Sequence, residues 1–132
     1  MPDNEPTASP EPQGQLTIRT LAMPGDTNPS GDIFGGWVLS QMDIAGGIAA
    51  SEIAGSRVVT AAVEAMSFIA PVKIGDVLCV YTSITRVGTT SITIEIEAYV
   101  RRRGLAERVK VTSGHFVFVA LDDAGRKRPV RG

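Results

Sequence analysis

The stretch TNPSGDIFGGWVLSQMDIAGG, residues 27–47, decides the fold. It begins with turn-forming residues and continues through a pair of glycines into an apolar segment that contains one carboxylate, Asp43. The apolar segment, residues 35–55, is too long for an ordinary strand and predicts a helix about 27 Å long at roughly 1.5 Å per residue. Because it is apolar nearly all round, this helix is expected to be enclosed by other structure.

The segments that flank the helix have the patterns of β-strands. In residues 90–102, isoleucine, alanine and valine alternate with threonine, glutamate and tyrosine, which is typical of a half-buried antiparallel strand. Four further strands are predicted at residues 15–23, 57–69, 76–88 and 109–121. One helix cannot cover both faces of such a sheet. The economical arrangement is a strongly curved antiparallel sheet wrapped around the central helix, which is an α+β fold.

The composition indicates one globular domain with a modest core and argues against several classes of protein. The chain has 132 residues, 43% of them hydrophobic, and a net charge of −1. A near-neutral charge argues against a nucleic-acid-binding protein, because no broad basic field attracts phosphates. With one cysteine, Cys79, and one histidine, His115, an internal disulfide is impossible and no metal site is expected. The expected location is the reducing cytoplasm.

The composition changes at both ends of the chain. Residues 1–14 carry four prolines, three acids and no basic residue, which predicts a disordered tail rather than a secretory signal. The folded domain is expected to cover residues 15–125, followed by a basic C-terminal tail at residues 126–132. The most apolar stretch, residues 37–54, is interrupted by polar and charged residues including Asp43, so it is expected to be a buried helix and not a membrane span.

Asp43 is the first candidate for a functional residue. On a helical wheel it shares its face with small residues, among them Ser40, Gly46 and Gly47. Each glycine inside a helix is less favourable than alanine by about 1 kcal/mol, which suggests that something approaches the helix closely beside the carboxylate. The alternative is a buried aspartate that is hydrogen-bonded to a loop, with the glycines packed against a strand.

The start of the helix is the second candidate. Gly35 and Gly36 leave the first backbone N–H groups bare at the positive end of the helix, where they would stabilise an anion or a developing oxyanion. Asn28 lies in the preceding loop and could hold a carbonyl group or a water molecule. Both features have a simpler interpretation as turn residues, and Asp26 and Asp32 are expected to be turn or cap residues as well.

The spacing of these two candidates limits how one chain can combine them. Gly36 and Asp43 are seven residues apart, which is roughly 10 Å along a helix axis. Side chains lean toward the N-terminus and recover only a small part of this distance. A single chain therefore cannot easily bring the N–H groups and the carboxylate to one carbonyl group. Two helices packed side by side in a dimer can, so the spacing predicts a site shared between subunits.

The segments MPGDTNPSGDIFGGWVLSQMD (23–43) and RVVTAAVEAMSFIAPVKIGDV (57–77) resemble the hotdog-fold acyl-CoA thioesterases, close to the YciA type. The similarity runs from about residue 17 to residue 121. It implies the hotdog fold, an active site at a dimer interface, and a hexamer built as a trimer of dimers. It also implies an acyl-CoA substrate, with coenzyme A entering as part of the substrate and no separate cofactor.

The resemblance also assigns roles to individual residues. The family's catalytic carboxylate falls on Asp43, its loop asparagine from the partner subunit falls on Asn28, and its carbonyl-polarising backbone donor falls near Gly36. Gly35 and Thr60 are expected to contact the substrate, Thr60 from a strand that lines the site in such proteins. The resemblance therefore implies hydrolysis of acyl-CoA to free acid and coenzyme A, with Asp43 as general base toward water or as nucleophile.

Coenzyme A carries several negative phosphate charges and requires cationic partners. The candidates cluster around one hairpin, the run RRRGLAERVK at residues 101–110. This run is a few residues shorter than the connection usual in the family, which leaves the outer nucleotide contacts open. The candidates are Arg101, Arg102, Arg103, Arg108 and Lys110. The alternative is a charged hairpin tip that is only solvated.

Three rival functions stand against acyl-CoA hydrolysis. Hydratases of the same fold pair a loop histidine with an acid, and residues 24–36 contain no histidine. A non-catalytic acyl-CoA-binding protein would bind its ligand without hydrolysis. A purely structural oligomer would not be stabilised by any acyl-CoA. Among the other notable side chains, His115, Cys79 and Trp37 are expected to be structural.

Overall fold

The computed structural model describes residues 11–102 and 108–130. The elements are β1 Gln15–Leu21, α1 Gly35–Ala54, β2 Arg57–Phe68, β3 Val77–Val87, β4 Ser91–Arg101 and β5 Arg108–Leu121. The five strands form one antiparallel sheet in the order β1-β3-β4-β5-β2, and α1 packs on one of its faces. The α+β fold with a curved sheet around one long helix is confirmed, and each predicted element ends close to its observed bound.

Helix α1 packs one stripe of its surface on the sheet. The buried residues of the stripe recur every three or four positions and are Val38, Met42, Ala45, Gly46, Ala50 and Ala54. The stripe faces the central strand β4, where Ile92, Ile94 and Ile96 have no exposed surface. The helix ends at Gly55, whose left-handed φ of 66° lets its N–H donate to the Ser51 carbonyl oxygen at 2.8 Å.

The opposite side of α1 is not covered by the residues that the structure describes. Leu39, Ile44, Ile48 and Ile53 are between 37% and 52% exposed. The expectation of a helix enclosed on all sides is therefore wrong for a single chain, because the sheet packs against the helix from one side. The apolar residues all round the helix give it more apolar surface than the sheet of one chain can bury.

Strand β2 forms an edge of the sheet and pairs with β5 alone among the described strands. Its register shifts twice, between Thr60 and Ala62 and between Glu64 and Ser67, and Ala65 has a positive φ of 54° at the second shift. Most residues of β2 are exposed although their composition is apolar. The edge strand therefore presents unpaired backbone groups and apolar surface beside the helix.

Both ends of the described chain lie against the sheet. The backbone N–H of Gln13 donates to Glu97 Oε1 at 2.8 Å, and Val130 is 3% exposed within the core. Glu97 and Tyr99 lie on the face of β4 that alternation predicts to be solvated, yet they are 6% and 0% exposed. That part of β4 is thus buried on both faces. Residues next to the predicted boundaries contact the sheet, and the domain bounds stay a prediction.

Candidate active site

Asp43 lies in the middle of α1, on the side that borders β2. Its Oδ1 accepts a hydrogen bond from the Thr60 hydroxyl group at 2.5 Å, and its side chain is partly buried. The hydrogen-bond partner is a strand hydroxyl and not a loop, which differs from the simpler interpretation of a buried aspartate. Within the described residues, Oδ2 has no hydrogen bond. One carboxylate oxygen is therefore held in place, while the other has no partner among these residues.

Asn28 is held by a turn within its own loop. Its Oδ1 accepts hydrogen bonds from the backbone N–H groups of Ser30 at 3.0 Å and Asp32 at 3.1 Å. Because two N–H donors point at the same side-chain atom, that atom must be the amide oxygen. No hydrogen bond of Nδ2 is present among the described residues, so this group would meet a ligand as a hydrogen-bond donor. The turn interpretation is confirmed, and the turn itself orients this donor.

The first turn of α1 carries free backbone donors. Phe34, at the N-cap, supplies no side-chain cap, and its carbonyl oxygen accepts the N–H groups of Trp37 at 3.1 Å and Val38 at 3.4 Å. The N–H groups of Gly35 and Gly36 precede these bonds and have no acceptor in the part of the chain that the structure describes. An uncapped helix start has a partial positive charge, so it suits an anion or an oxyanion.

A cavity of about 370 Å³ adjoins this helix start. Its walls come from the loop of Asn28, the first turn of α1 and the segment after β2. Its lining residues are Asn28, Asp32, Ile33, Gly35, Val38 and residues 68–72. Asp43 is not among them, because it lies roughly 10 Å further along the helix axis than Gly36. One chain thus separates the donors from the acid, as the spacing predicts.

The two helix glycines beside Asp43 have different surroundings. A Cβ atom on Gly46 would lie 2.6 Å from Phe118 Cζ and 2.7 Å from Ile96 Cδ1, so the missing side chain lets the sheet approach the helix. A Cβ atom on Gly47 would meet nothing within 4 Å. The packing interpretation of the glycine pair is therefore confirmed for Gly46 and wrong for Gly47, whose side of the helix is open.

Apart from Arg102, the described basic residues of the β4–β5 hairpin lie away from this cavity. Arg101 and Arg108 are opposite each other, and Lys110 is opposite Tyr99, on the face of the sheet that turns away from α1. Arg101 is exposed at the end of β4. Arg103 lies outside the described residues. The structure therefore does not bring these side chains next to the helix start of their own chain.

Two of these cations are paired with carboxylates of the same chain. Lys110 Nζ lies 3.3 Å from Glu97 Oε2, and Arg108 Nη2 lies 2.8 Å from Glu11 Oε1. The Lys110 pair is mostly buried, whereas Glu11 is 89% exposed, so the Arg108 pair contributes little to stability. The role of these residues toward coenzyme A phosphates stays a prediction.

Arg102 and Asp76 hold one wall of the cavity. Arg102 Nε donates to Asp76 Oδ2 at 3.2 Å, and its Nη2 donates to the Pro71 carbonyl oxygen at 2.8 Å. Asp76 is 4% exposed and also accepts the backbone N–H of Lys73 at 2.9 Å. Sequence reasoning missed this pair. The available signal was the Gly-Asp step that closes the turn PVKIGD, a place where a carboxylate receives backbone N–H groups.

The remaining side chains named from the sequence lie outside the candidate site. Cys79 is fully buried and Trp37 packs against the core, so both are structural as predicted. His115 is partly buried on β5, opposite Glu64 on β2 and Glu95 on β4.

Two kinds of feature are absent from residues 11–102 and 108–130. No group of three or more His, Cys, Asp and Glu side chains there could hold a metal ion. No helix there is long and apolar enough to cross a membrane. The candidate groups for chemistry are the Asp43 carboxylate, the Thr60 hydroxyl, the Asn28 amide and the N–H groups of the helix start.

Comparison with known proteins assigns the family. Residues 30–107, more than half of the chain, match the family model described as the Thioesterase superfamily. The chain belongs to the thioesterase superfamily. Within this superfamily it is a hotdog-fold protein of the YciA type. The acyl-CoA thioester hydrolase YciA of Salmonella typhimurium is 53% identical over 122 residues, which cover 90% of this chain and 92% of that protein.

Solved structures of thioesterases share this fold. A hexameric thioesterase from Yersinia pestis is 52% identical with a TM-score of 0.85, over 91% of this chain and 98% of that one. A hexameric broad-specificity acyl-coenzyme A thioesterase is 51% identical with a TM-score of 0.86, over 92% of this chain and 84% of that one. The superfamily fold therefore extends over nearly the whole described chain.

Proposed function

We propose that this thioesterase-superfamily protein hydrolyses acyl-CoA thioesters to a free acid and coenzyme A. The observation that carries the proposal is the hydrogen-bonded pair of Asp43 and Thr60 on the open side of α1, together with uncapped N–H groups at the start of the same helix. The substrate class is supported by the Salmonella relative, which is named an acyl-CoA thioester hydrolase.

Hydrolysis requires a base for water and a group that stabilises charge on the carbonyl oxygen. We assign the base to Asp43 Oδ2, since Oδ1 already accepts the Thr60 hydroxyl. Water attacks the carbonyl carbon while its proton passes to Asp43, the C–S bond breaks, and coenzyme A leaves as a thiolate that then takes up a proton. In the alternative route, Asp43 attacks the carbonyl carbon itself, the C–S bond breaks and the coenzyme A thiolate leaves, which gives a mixed anhydride. Water opens the anhydride in a second step, which releases the free acid and restores the Asp43 carboxylate.

The developing oxyanion is assigned to the start of α1. The N–H of Gly36, with that of Gly35 beside it, would stabilise the charge by about 3 kcal/mol per donor. Asn28 Nδ2 supplies a further donor, because its Oδ1 is used within the turn. It orients the substrate carbonyl or the attacking water. A thiolate leaves readily, so the mechanism needs no strong general acid.

A second copy of the chain completes the site. The exposed edge of β2 and the exposed apolar side of α1 border Asp43, and we expect this surface to pair with its copy in a two-fold dimer. In this dimer, Asp43 of one subunit meets the partner subunit's Asn28 and the partner subunit's Gly36. We expect a homodimer as the smallest active unit and a hexamer, as a trimer of dimers, in line with the hexameric Yersinia relative.

The coenzyme A portion of the substrate is expected to reach the basic hairpin, with Arg101 as its exposed member. Phosphate binding by Lys110 or Arg108 would require each to exchange its own carboxylate partner for the ligand. No cofactor is expected besides this coenzyme A. We expect the reaction to take place in the cytoplasm, where a lone thiol such as Cys79 stays reduced.

The test is the release of free thiol from acetyl-, butanoyl-, octanoyl- and palmitoyl-CoA by the wild type and by Asp43→Asn. Asparagine keeps an oxygen for the Thr60 hydroxyl but cannot accept a proton, so kcat should fall by about a thousandfold with an unchanged melting temperature. Asp123→Asn is the matched control, since Asp123 is an exposed acid in the turn after β5 and should leave kcat unchanged.

Turnover by Asp43→Asn close to that of the wild type would refute the assignment of the base. Binding of acyl-CoA by the wild type, with no thiol released from any substrate, would indicate the non-catalytic acyl-CoA-binding protein instead.

A further inference from the structure

Gly47 lies one helical turn after Asp43 on the same side of α1. A glycine inside a helix is less favourable than alanine by about 1 kcal/mol. No packing within the described chain requires it, because a Cβ atom at this position would meet nothing within 4 Å. At the neighbouring Gly46, by contrast, a Cβ atom would meet Phe118 and Ile96. The empty space at Gly47 is therefore not explained by the folding of its own chain.

The surface of α1 differs on the two sides of Asp43. One turn before it, Leu39 covers the helix with a side chain that is 37% exposed. One turn after it, Gly47 leaves the helix bare. Gly47 is about 6 Å from Asp43 along the helix axis, which is the length of a short extended acyl chain. A thioester whose carbonyl carbon lies at Asp43 has room for its acyl group on the Gly47 side.

We infer that the acyl chain of the substrate passes from Asp43 over Gly47, so that Gly47 sets the range of chain lengths that the protein hydrolyses. This inference rests on the proposed thioester hydrolysis. An acetyl group ends before it reaches Gly47, whereas an octanoyl or palmitoyl group crosses it. A side chain at this position would therefore take up the space of long acyl groups and leave the shortest substrate unaffected.

The experiment measures kcat/KM for acetyl-, butanoyl-, octanoyl- and palmitoyl-CoA with the wild type, Gly47→Ala and Gly47→Leu. For Gly47→Leu, the ratio of octanoyl- to acetyl-CoA kcat/KM should fall at least about tenfold, since a pocket that is too short by a few methylenes discriminates by this amount or more. Gly47→Ala should shift the ratio in the same direction by less. Glu52→Leu places the same side chain at an exposed position of α1 further from Asp43 and should leave the ratio unchanged.

Three results would overturn the inference. An equal loss on all four substrates would show that Gly47 does not distinguish chain lengths, and an unchanged ratio for Gly47→Leu would show that the acyl chain runs elsewhere. Dissociation of the Gly47→Leu assembly in size-exclusion chromatography would show that a second subunit occupies the space. Failure of the proposed function is distinguishable from these, because the wild type itself would then release no thiol from any substrate.

Discussion

The centre of the sheet and the edge beside Asp43 are both built from apolar strands, yet their surroundings differ. In the centre, Ile94 and Phe116 pair across β4 and β5 with no exposed surface. At the edge, Val63 is 43% exposed, and Thr60 is bonded to the Asp43 carboxylate. Burial of apolar surface stabilises the centre. The candidate site lies where the packing of a single chain stops, which leaves its groups available to a substrate and to a second subunit.

The adjacent glycines Gly46 and Gly47 show the same difference between packed and open surroundings. Gly46 points toward the centre and is required by close packing, whereas Gly47 points toward the edge and touches nothing in the described chain. The same unfavourable residue type in a helix thus has two explanations. Packing explains Gly46, whereas Gly47 is explained by the proposed path of the acyl chain.

After the loss already expected for Asp43→Asn, the largest effect is expected in the loop before α1, from Asn28→Asp. The aspartate keeps an oxygen for the N–H groups of Ser30 and Asp32, so the loop and the melting temperature should be retained. It replaces the donor Nδ2 by an acceptor, so kcat for acyl-CoA hydrolysis should fall by about a hundredfold or more. Free-thiol release and a thermal melt, measured on the same sample, check both parts.

Asn28→Ala is the control for this change. It removes the turn acceptor and the donor together, so both kcat and the melting temperature should fall. A wild-type kcat in Asn28→Asp would show that Asn28 acts only through the turn. The role assigned to its Nδ2 donor in hydrolysis would then be wrong.

Smaller effects on the free energy of unfolding are expected for alanine substitutions of the two glycines. The two effects should have opposite signs. Gly46→Ala forces a methyl group against Phe118 and Ile96 and should lower the free energy of unfolding by about 1–3 kcal/mol. Gly47→Ala meets nothing and should raise it by about 1 kcal/mol, because alanine favours the helix. Urea denaturation of both variants measures the difference. Shifts of the same sign would mean that the two sides of the helix are equally packed.

The smallest effect is expected in the centre, at Tyr99. Burial raises the pKa of Tyr99 from 10.0 to about 12, with the nearby charge of Glu97 as the second cause. The folded chain holds this proton more tightly than the unfolded chain, so the stabilisation is present below pH 10.0 and is lost as the pH rises toward about 12. Tyr99→Phe should therefore show a weaker fall of the melting temperature across this interval. Tyr81→Phe, which alters the neighbouring ring 5.8 Å away, is the control.

Identical pH dependence in the wild type and Tyr99→Phe would contradict the raised pKa. It would also mean that the outer face of β4 is more open to water than its lack of exposed surface indicates.

The sequence predicted the elements well because their signals are local. An apolar segment of about eighteen residues cannot be an ordinary strand, and the alternation in residues 90–102 has the period of a strand. Asp43 and Gly36 were recognisable as candidates from residue type and spacing alone. Periodicity failed at Glu97 and Tyr99, since alternation predicts two faces but not whether other residues cover the second one.

The orientation of the functional groups was harder to predict from the sequence. The sequence left Asn28 as either a turn residue or a ligand contact. The structure shows the turn, which uses the amide oxygen, and the ligand contact by the amide nitrogen stays a prediction. Likewise, the cluster of basic residues was visible in the sequence. The pairing of Lys110 with Glu97 was not, since the two residues meet only across neighbouring strands.

By itself, the sequence determined the order of one helix and five strands, the position of Asp43 in the middle of the apolar helix, and the roughly 10 Å that separate it from the helix start. These properties follow from local sequence patterns and from the geometry of a helix, which depend only on residues near each other along the chain. The tertiary structure alone decided that Thr60, 17 residues from Asp43, holds its carboxylate, and that Gly46 is packed while Gly47 is open. Such contacts depend on the register of β2 and on how the sheet curves over α1, which are set by packing between segments distant in sequence.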